Sequence, residues 1–319
     1  MERKTASVTT KKLSWITILQ RDFKANGGAY LLAVPVIAYF ILFAYKPLFG
    51  AIIAFKDFSR RRGIWGSPWA DNFGFEHFID FFTSVYFERT LRNTLTISLT
   101  NILFGFPLPI ILALLINEIH NKKYKRLVQT VSYMPYFIST VVVCSMITLF
   151  TDEKAFVAEI VGWFGMDVTG NLLNYEKAFL PIYTISTIWQ STGWNSIIYL
   201  AALSSIDMEL YEAARIDGAN RWKQTLHVTI PGISSTIILL LILAVGNAMN
   251  VGYEKVILLY NDLNRNSADV ISSYVYRRGI EQADFSFGTA VGLFNSVINF
   301  AFVVTANKIS HKVTGAGLW

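Results

Sequence analysis

Six stretches of this chain hold no Asp, Glu, Lys or Arg over lengths that can cross a bilayer, and no other feature constrains its folding as much. They cover residues 29–45, 93–117, 127–151, 178–206, 228–253 and 285–307. About 20 residues of helix cross the hydrocarbon layer. The first run is short, but past Lys46 it stays apolar to Phe55, and a lysine can extend its ammonium to the headgroups. In hydrocarbon every backbone N–H and C=O must be satisfied within the protein. Barrel strands would be about ten residues long and would alternate strictly. These runs do neither. The expectation is an all-α integral membrane protein with six transmembrane helices.

Composition bears on what else the chain could be. Charged residues make up 16%, against about 25% in a soluble domain. With 53% hydrophobic residues, a disordered or fibrous chain is excluded, because so much apolar mass requires burial. The single cysteine, Cys144, excludes a disulfide scaffold. It lies within the third run and reads as a small buried hydrophobe. The net charge of +6 would suit nucleic acid only on a soluble basic face. Here the cations sit between apolar runs, so a lipid bilayer is the expected partner and nucleic acid is not.

Loop charge orients the chain. With the N-terminus inside, segments 1–28, 118–126, 207–227 and 308–319 carry 15 basic and 7 acidic residues. Segments 56–92, 152–177 and 254–284 carry 12 basic and 15 acidic residues. Cytoplasmic loops are the ones enriched in Lys and Arg, so both termini are expected in the cytoplasm. The first 28 residues hold six Lys or Arg and no small-residue cleavage site follows the first run, which reads as an uncleaved span rather than a signal peptide. The organisation expected is a cytoplasmic segment 1–28, a transmembrane domain 29–307 with a cytoplasmic loop 204–230, and a cytoplasmic tail 308–319. The outside segment 56–92 holds Arg60, Arg61, Arg62, Trp65 and Trp69, a composition that suits short interfacial helices. Its arginines could meet lipid phosphate or favour an acidic solute.

The runs are not uniformly apolar. The fourth contains Trp189, Gln190, Trp194 and Asn195; the fifth contains Asn247 and Asn250; the sixth contains Asn295 and Asn299. Spacings of three or four put side chains on one helix face. A lipid-facing amide would lose hydrogen bonds at a cost of several kcal/mol, so these amides face other helices or a wet cavity. Two readings stay open: hydrogen bonding between helices, or a hydroxyl-binding path for a polar solute, with Trp189 and Trp194 as stacking surfaces. Pro35, Pro107, Pro109, Pro135 and Pro181 each remove a backbone donor, and kinks are expected there.

The segment after the fourth run is the most specific. It reads Ser204-Ser-Ile-Asp-Met-Glu-Leu-Tyr-Glu-Ala-Ala-Arg-Ile-Asp-Gly218. Asp207 is a good N-cap, residues 208–216 are a run of helix formers, and Gly218 can end the helix in a left-handed conformation. A second short helix is expected over 219–226, before Pro231 opens the fifth run. Ala213 and Ala214 would let the first helix approach a partner closely. Periodicity alone leaves two forms open, a knob projecting into the cytoplasm or an amphipathic helix lying on the bilayer.

This segment resembles the EAA motif of ABC-importer permeases. The motif stands here as Glu212-Ala213-Ala214, then Gly218, then Val228-Thr229-Ile230-Pro231; Val for Ile and Ile for Leu keep the apolar bulk. The opening, Arg21-Asp-Phe-Lys-Ala-Asn-Gly-Gly-Ala-Tyr-Leu-Leu with Tyr45-Lys-Pro-Leu-Phe-Gly-Ala51, looks like the sugar-permease branch associated with polysaccharide breakdown, which imports oligosaccharides including alginate and pectin fragments. The resemblance implies the type I importer permease fold in a bacterial inner membrane. It also implies four kinds of partner: a second, similar permease, two ATPase subunits that hold ATP and Mg, an external solute-binding protein and a carbohydrate substrate. The knob at 212–218, with Asp217 and Pro231, would be the coupling helix seated in a groove of the ATPase.

What the sequence lacks fits that division of labour. No Gly-x-x-x-x-Gly-Lys-Ser/Thr is present. His77, His120, His227 and His311 are scattered, without metal-ligand spacing. No cofactor is expected on this chain. An integral-membrane enzyme acting on lipid-linked sugars is the alternative, and it would need titratable groups at a cavity face, where only scattered ones such as Glu118 qualify. A secondary transporter is disfavoured by the absence of charges within the runs.

Overall fold

The computed structural model describes residues 15–163, 165, 169–315 and 317–319. Among these, the chain is helical apart from turns and one isolated antiparallel bridge between Lys56 and Trp69. It divides into two compact units, Met1–Ile52 and Ile53–Trp319. In the first unit, α1 (Trp15–Phe40) bends at Asn26, where the backbone leaves helical geometry, and runs on through Pro35.

The second unit holds, besides shorter helical turns and the helix Phe156–Trp163, these elements: α2 (Glu76–Thr83), α3 (Phe87–Thr100), α4 (Pro107–Asn117), α5 (Lys122–Tyr133), α6 (Thr140–Phe150), α7 (Glu176–Ser204), α8 (Met208–Ile216), α9 (Ser234–Gly246), α10 (Tyr253–Leu259), α11 (Ile271–Val275) and α12 (Phe285–Thr314). Among the described residues, three helical stretches are long and apolar enough to cross a membrane: Arg21–Phe55, Phe87–Asn117 and Phe285–Thr314. Two bent pairs bring the number to five if each pair is one span. They are Lys122–Phe137 with Thr140–Phe150, bent by 95°, and Arg221–Gly232 with Ser234–Gly246, bent by 62°. The fourth run forms the 29-residue α7, about 43 Å long at 1.5 Å per residue. Its Gln, Ser, Thr and Asn residues make it too polar to pass the same test.

The prolines act unequally. Pro135 sits at the 95° bend, where α5 gives way to a tight turn over Met134–Phe137 before Ser139 caps α6. Pro47, Pro107 and Pro231 each follow a widened helical turn, at Ile41–Tyr45, Asn101–Gly105 and Thr225–Thr229. A proline has no N–H and its ring crowds the carbonyl four residues back, so the turn before it opens to five-residue spacing. Helix α7 continues unbroken through Pro181.

Helix α7 is the centre of the second unit. Its Phe179 and Tyr183 pack with Cys144, Val256 and Val270, and its Tyr199 and Leu203 pack with Ala113 and Ile233. A third apolar cluster joins Phe81, Met249, Ile271, Phe287 and Val291. At Gly193 the crossing with α5 is in backbone contact, since a Cβ there would lie 1.9 Å from the Ser132 carbonyl oxygen.

The expected outside segments are held by buried polar groups. Lys56 donates to the carbonyls of Ile64, Trp65 and Ser67 at 3.0, 3.4 and 3.1 Å, so one buried ammonium gathers the loop 56–69. The carboxylate of Asp269 is fully buried and accepts from Arg89 at 3.0 Å, Arg277 at 2.7 Å and Ser273 Oγ at 2.7 Å. Asn93 Nδ2 donates to the carbonyls of Asn266 and Asp269. This knot fastens the 254–284 segment to α3.

Candidate functional site

The 204–230 loop folds as its caps dictate. Asp207 accepts from the Glu209 N–H at 3.0 Å and starts α8. At the other end Gly218 takes φ +76°. The N–H of Ala219 reaches the Ala214 carbonyl and the N–H of Gly218 reaches the Arg215 carbonyl. That is a Schellman closure, and it needs a residue that tolerates positive φ. A Cβ at Gly218 would meet nothing within 4 Å, so glycine is required there by backbone conformation and not by space. Tyr211 ties α8 to the start of the fifth run through a 3.0 Å hydrogen bond between its hydroxyl and Thr229 Oγ1. Facing away from that tie, Glu212, Ala213 and Asp217 are exposed, Ala214 is half-buried, and Ile216 is 87% exposed. The second short helix is Arg221–Gln224, shorter than the expected 219–226, and Asn220 caps it. Pro231 follows, after the widened turn.

The amides of the expected path do not act as one set. Asn299 Oδ1 accepts the N–H of Met249 at 3.1 Å and bridges α12 to the end of the fifth run. Gln190 Nε2 donates to the Ile138 carbonyl at 3.0 Å, supporting the bend between α5 and α6. These two serve helix–helix contact. Asn247 and Asn250 are both exposed and bond to each other at 2.7 Å. Asn295 Oδ1 is buried with no hydrogen-bond partner among the described residues. Asn195 is exposed. Trp194 stacks on Tyr136, with centroids 4.6 Å apart and planes 4° apart. Trp189 lines an apolar cavity of about 300 Å³ with Val143, Ile147 and Ile185. The sequence had grouped these residues by spacing; the structure divides them by what they bond.

The fifth run is interrupted. Helix α9 stops at Gly246 and α10 begins at Tyr253. Side chains from other elements satisfy the backbone between them: Ser98 Oγ donates to the Ala248 carbonyl, Asn299 accepts from Met249, and Ser272 Oγ donates to the Val251 carbonyl. Irregular backbone at membrane depth is tolerated only where protein covers it or where it lines a wet cavity. Asn247, Asn250 and Tyr253 stand exposed beside this break, and Tyr253 stacks on Tyr276 at 5.1 Å. Their amides and paired rings could hold a sugar by hydrogen bonds and stacking.

Lys255 was not singled out by the sequence, because it lies just past the fifth run. It is buried, donates to Thr187 Oγ1 at 2.8 Å and lies over the Tyr183 ring. Burial pushes its ammonium down to about 8. The runs themselves hold no charge, yet α10 folds back and sets one against α7. No chemistry-bearing cluster accompanies it: groups of three or more His, Cys, Asp or Glu fit to hold a metal are absent among the described residues.

Comparison with known proteins places this geometry. Residues 86–314 match the family described as binding-protein-dependent transport system inner membrane component. The chain is 43% identical to Protein LplB of Bacillus subtilis (strain 168), over 97% of this chain and 95% of that one. It is 42% identical to the polygalacturonan/rhamnogalacturonan transport system permease protein YteP of the same organism, over 91% and 89%. A crystal structure of a bacterial alginate ABC transporter, in complex with an alginate pentasaccharide-bound periplasmic protein, holds a chain with 40% identity and a TM-score of 0.82, over 94% of this chain and 99% of that one. The exposed EAA helix, the matched span of 229 residues and the shared fold have one meaning: this chain belongs to the binding-protein-dependent transport family and is an ABC-importer permease, a transport subunit rather than an enzyme.

Proposed function

We propose that this chain pairs with a second, similar permease to form the membrane passage of an importer for oligosaccharides released in polysaccharide breakdown. In this reading it crosses a bacterial inner membrane six times, with 1–28 and 308–319 in the cytoplasm. An external binding protein delivers the solute, and two ATPase subunits, holding ATP and Mg, drive the cycle from below. A relative named for polygalacturonan/rhamnogalacturonan transport and solved structures of an alginate importer support the substrate class. The loop charges support the orientation.

The observation that carries the coupling role is the conformation of 207–219. A capped helix with a small-residue outer face, fastened at Tyr211 and closed by a left-handed Gly218, is a rigid projection with an uncovered apolar side chain at Ile216. That form suits seating in a groove of another protein. The exposed amides at Asn247 and Asn250, beside the break and the Tyr253–Tyr276 pair, are the part of this chain assigned to the solute path. Asn299 and Gln190 hold the walls.

The test is the full importer in liposomes carrying Gly218→Val or Ala213→Trp. A β-branched residue at positive φ costs roughly 1–2 kcal/mol or more, and a bulky side chain at Ala213 would hold α8 away from its groove. The expected result is normal insertion, with ATPase subunits that dissociate or lose stimulation by loaded binding protein. Normal transport and stimulation in both variants would show that this loop is not the coupling element.

A further inference from the structure

We propose that the coupling end of this permease carries a binding groove for one anionic phospholipid, set between α4 and the 221–230 segment. Two cavities meet there, each of about 550 Å³. One is walled mainly by apolar side chains, Ile111, Leu114 and Leu115 of α4 with Leu226 and Ile230 opposite. The other is polar, with His120, Tyr211, Arg215 and Gln224. They share Asn117, Glu118, Arg221, Thr225 and Thr229, so the apolar chamber opens into the polar one across a common wall.

The apolar chamber lies at the ends of the second and fifth charge-free runs. In the orientation proposed above it is therefore at the cytoplasmic boundary of the bilayer, within reach of an acyl chain. The polar chamber is lined by His120, two residues before α5, whose start carries Lys122, Lys123, Lys125 and Arg126. An occupant must be apolar at one end and polar at the other. The charge selects an anionic headgroup: the wall carries Arg215 and Arg221 against the single acid Glu118. Glu118 meets Arg221 at 3.2 Å in an exposed pair, of a kind worth little in water, so a phosphate can share that guanidinium. Trp222 stands 69% exposed at the rim, and indoles favour the headgroup level of a membrane.

A lipid held here would touch Tyr211 and Arg215 of α8, and so would bias the position of the coupling helix. That consequence rests on the coupling role proposed above; the binding itself does not. The experiment uses the complete importer in nanodiscs of phosphatidylcholine, with or without phosphatidylglycerol. Native mass spectrometry counts retained phosphatidylglycerol, and stimulated ATPase activity is read in parallel. Wild type should retain at least one phosphatidylglycerol more than Leu115→Trp, which fills the apolar chamber, and more than Arg221→Gln, which removes the anchoring cation. Stimulation should rise severalfold with phosphatidylglycerol in wild type and in neither variant. Equal retention in all three would overturn the site. So would loss of ATPase subunits from both variants in either lipid, which would make the groove a protein contact. Gly218→Val separates the two claims: it should keep normal lipid retention while stimulation fails, whereas normal stimulation would sink the coupling role and leave the lipid site standing.

Discussion

The 204–230 loop and the polar knot around Asp269 both place charged residues at the edge of apolar helices, yet they are built in opposite ways. The loop is held mainly by short-range bonds, Asp207 to Glu209, Ala219 to Ala214 and Gly218 to Arg215; Tyr211 reaches further, to Thr229, and Arg221 pairs with Glu118 at the exposed surface. Its outer face is left uncovered. The knot around Asp269 is held by partners far along the chain: Arg89 lies 180 residues away and Asn93 donates across 176. A locally specified element can move as a body and keep its form, which suits a part that transmits motion. An element specified by distant partners loses its form when one of them leaves, which suits a part that holds helices together.

The sharpest way to break this contrast is Asp269→Ala. It would leave two guanidiniums without their shared buried carboxylate, a loss of about 3–5 kcal/mol for a broken buried pair. The expected outcome is poor yield and a large fall in thermal midpoint of the purified subunit. Stability close to wild type would mean that the knot does not fasten the 254–284 segment.

Gly193→Val should come next. Its side chain would occupy the space of the Ser132 carbonyl, and forcing such a crossing apart costs typically 1–3 kcal/mol. The two glycines sharpen the comparison: Gly193 needs space at a packed crossing, whereas Gly218 needs a backbone conformation in the open. Gly193→Val should therefore lower subunit stability, measured by detergent unfolding, while Gly218→Val, whose strain an exposed turn can relieve by local rearrangement, should lower it less and damage coupling. The same outcome for both would erase the distinction.

A smaller effect is expected at Lys255, through pH. Its pKa in the folded chain, about 8, lies below the ordinary 10.5, because burial disfavours the charged form. Between those values the unfolded chain binds more protons than the folded one, so stability rises with pH across that window. Lys255→Met removes this slope. Unfolding midpoints measured from pH 8 upward should rise for wild type relative to the variant, and parallel curves would show that the ammonium is not desolvated. The least effect belongs to Asp207→Ala. Loss of one N-cap costs about 1 kcal/mol, confined to α8, and should appear as faster amide exchange there with little change in global unfolding.

The caps of α8 were legible because each involves residues within a few positions, and a left-handed glycine closing a helix is a local event. The bend at residues 134–139 was legible only in part. Pro135 marks a lost donor, but the 95° angle depends on Gln190 of α7 reaching the Ile138 carbonyl. The amides of the fifth and sixth runs could not be sorted by spacing. Asn295 and Asn299 share a helix face, and only the position of Met249 makes one of them a bridge.

The order of charge-free runs, their helical state and the form of α8 were set by the sequence itself. Hydrocarbon forces the backbone to bond within each segment, and capping acts over a single turn. The interruption between Gly246 and Tyr253, the burial of Lys255 and the pairing of Asp269 with Arg89 and Arg277 were decided only in the tertiary structure. Each needs a partner from another helix, and nothing in the spacing of a segment records which distant side chain will satisfy it.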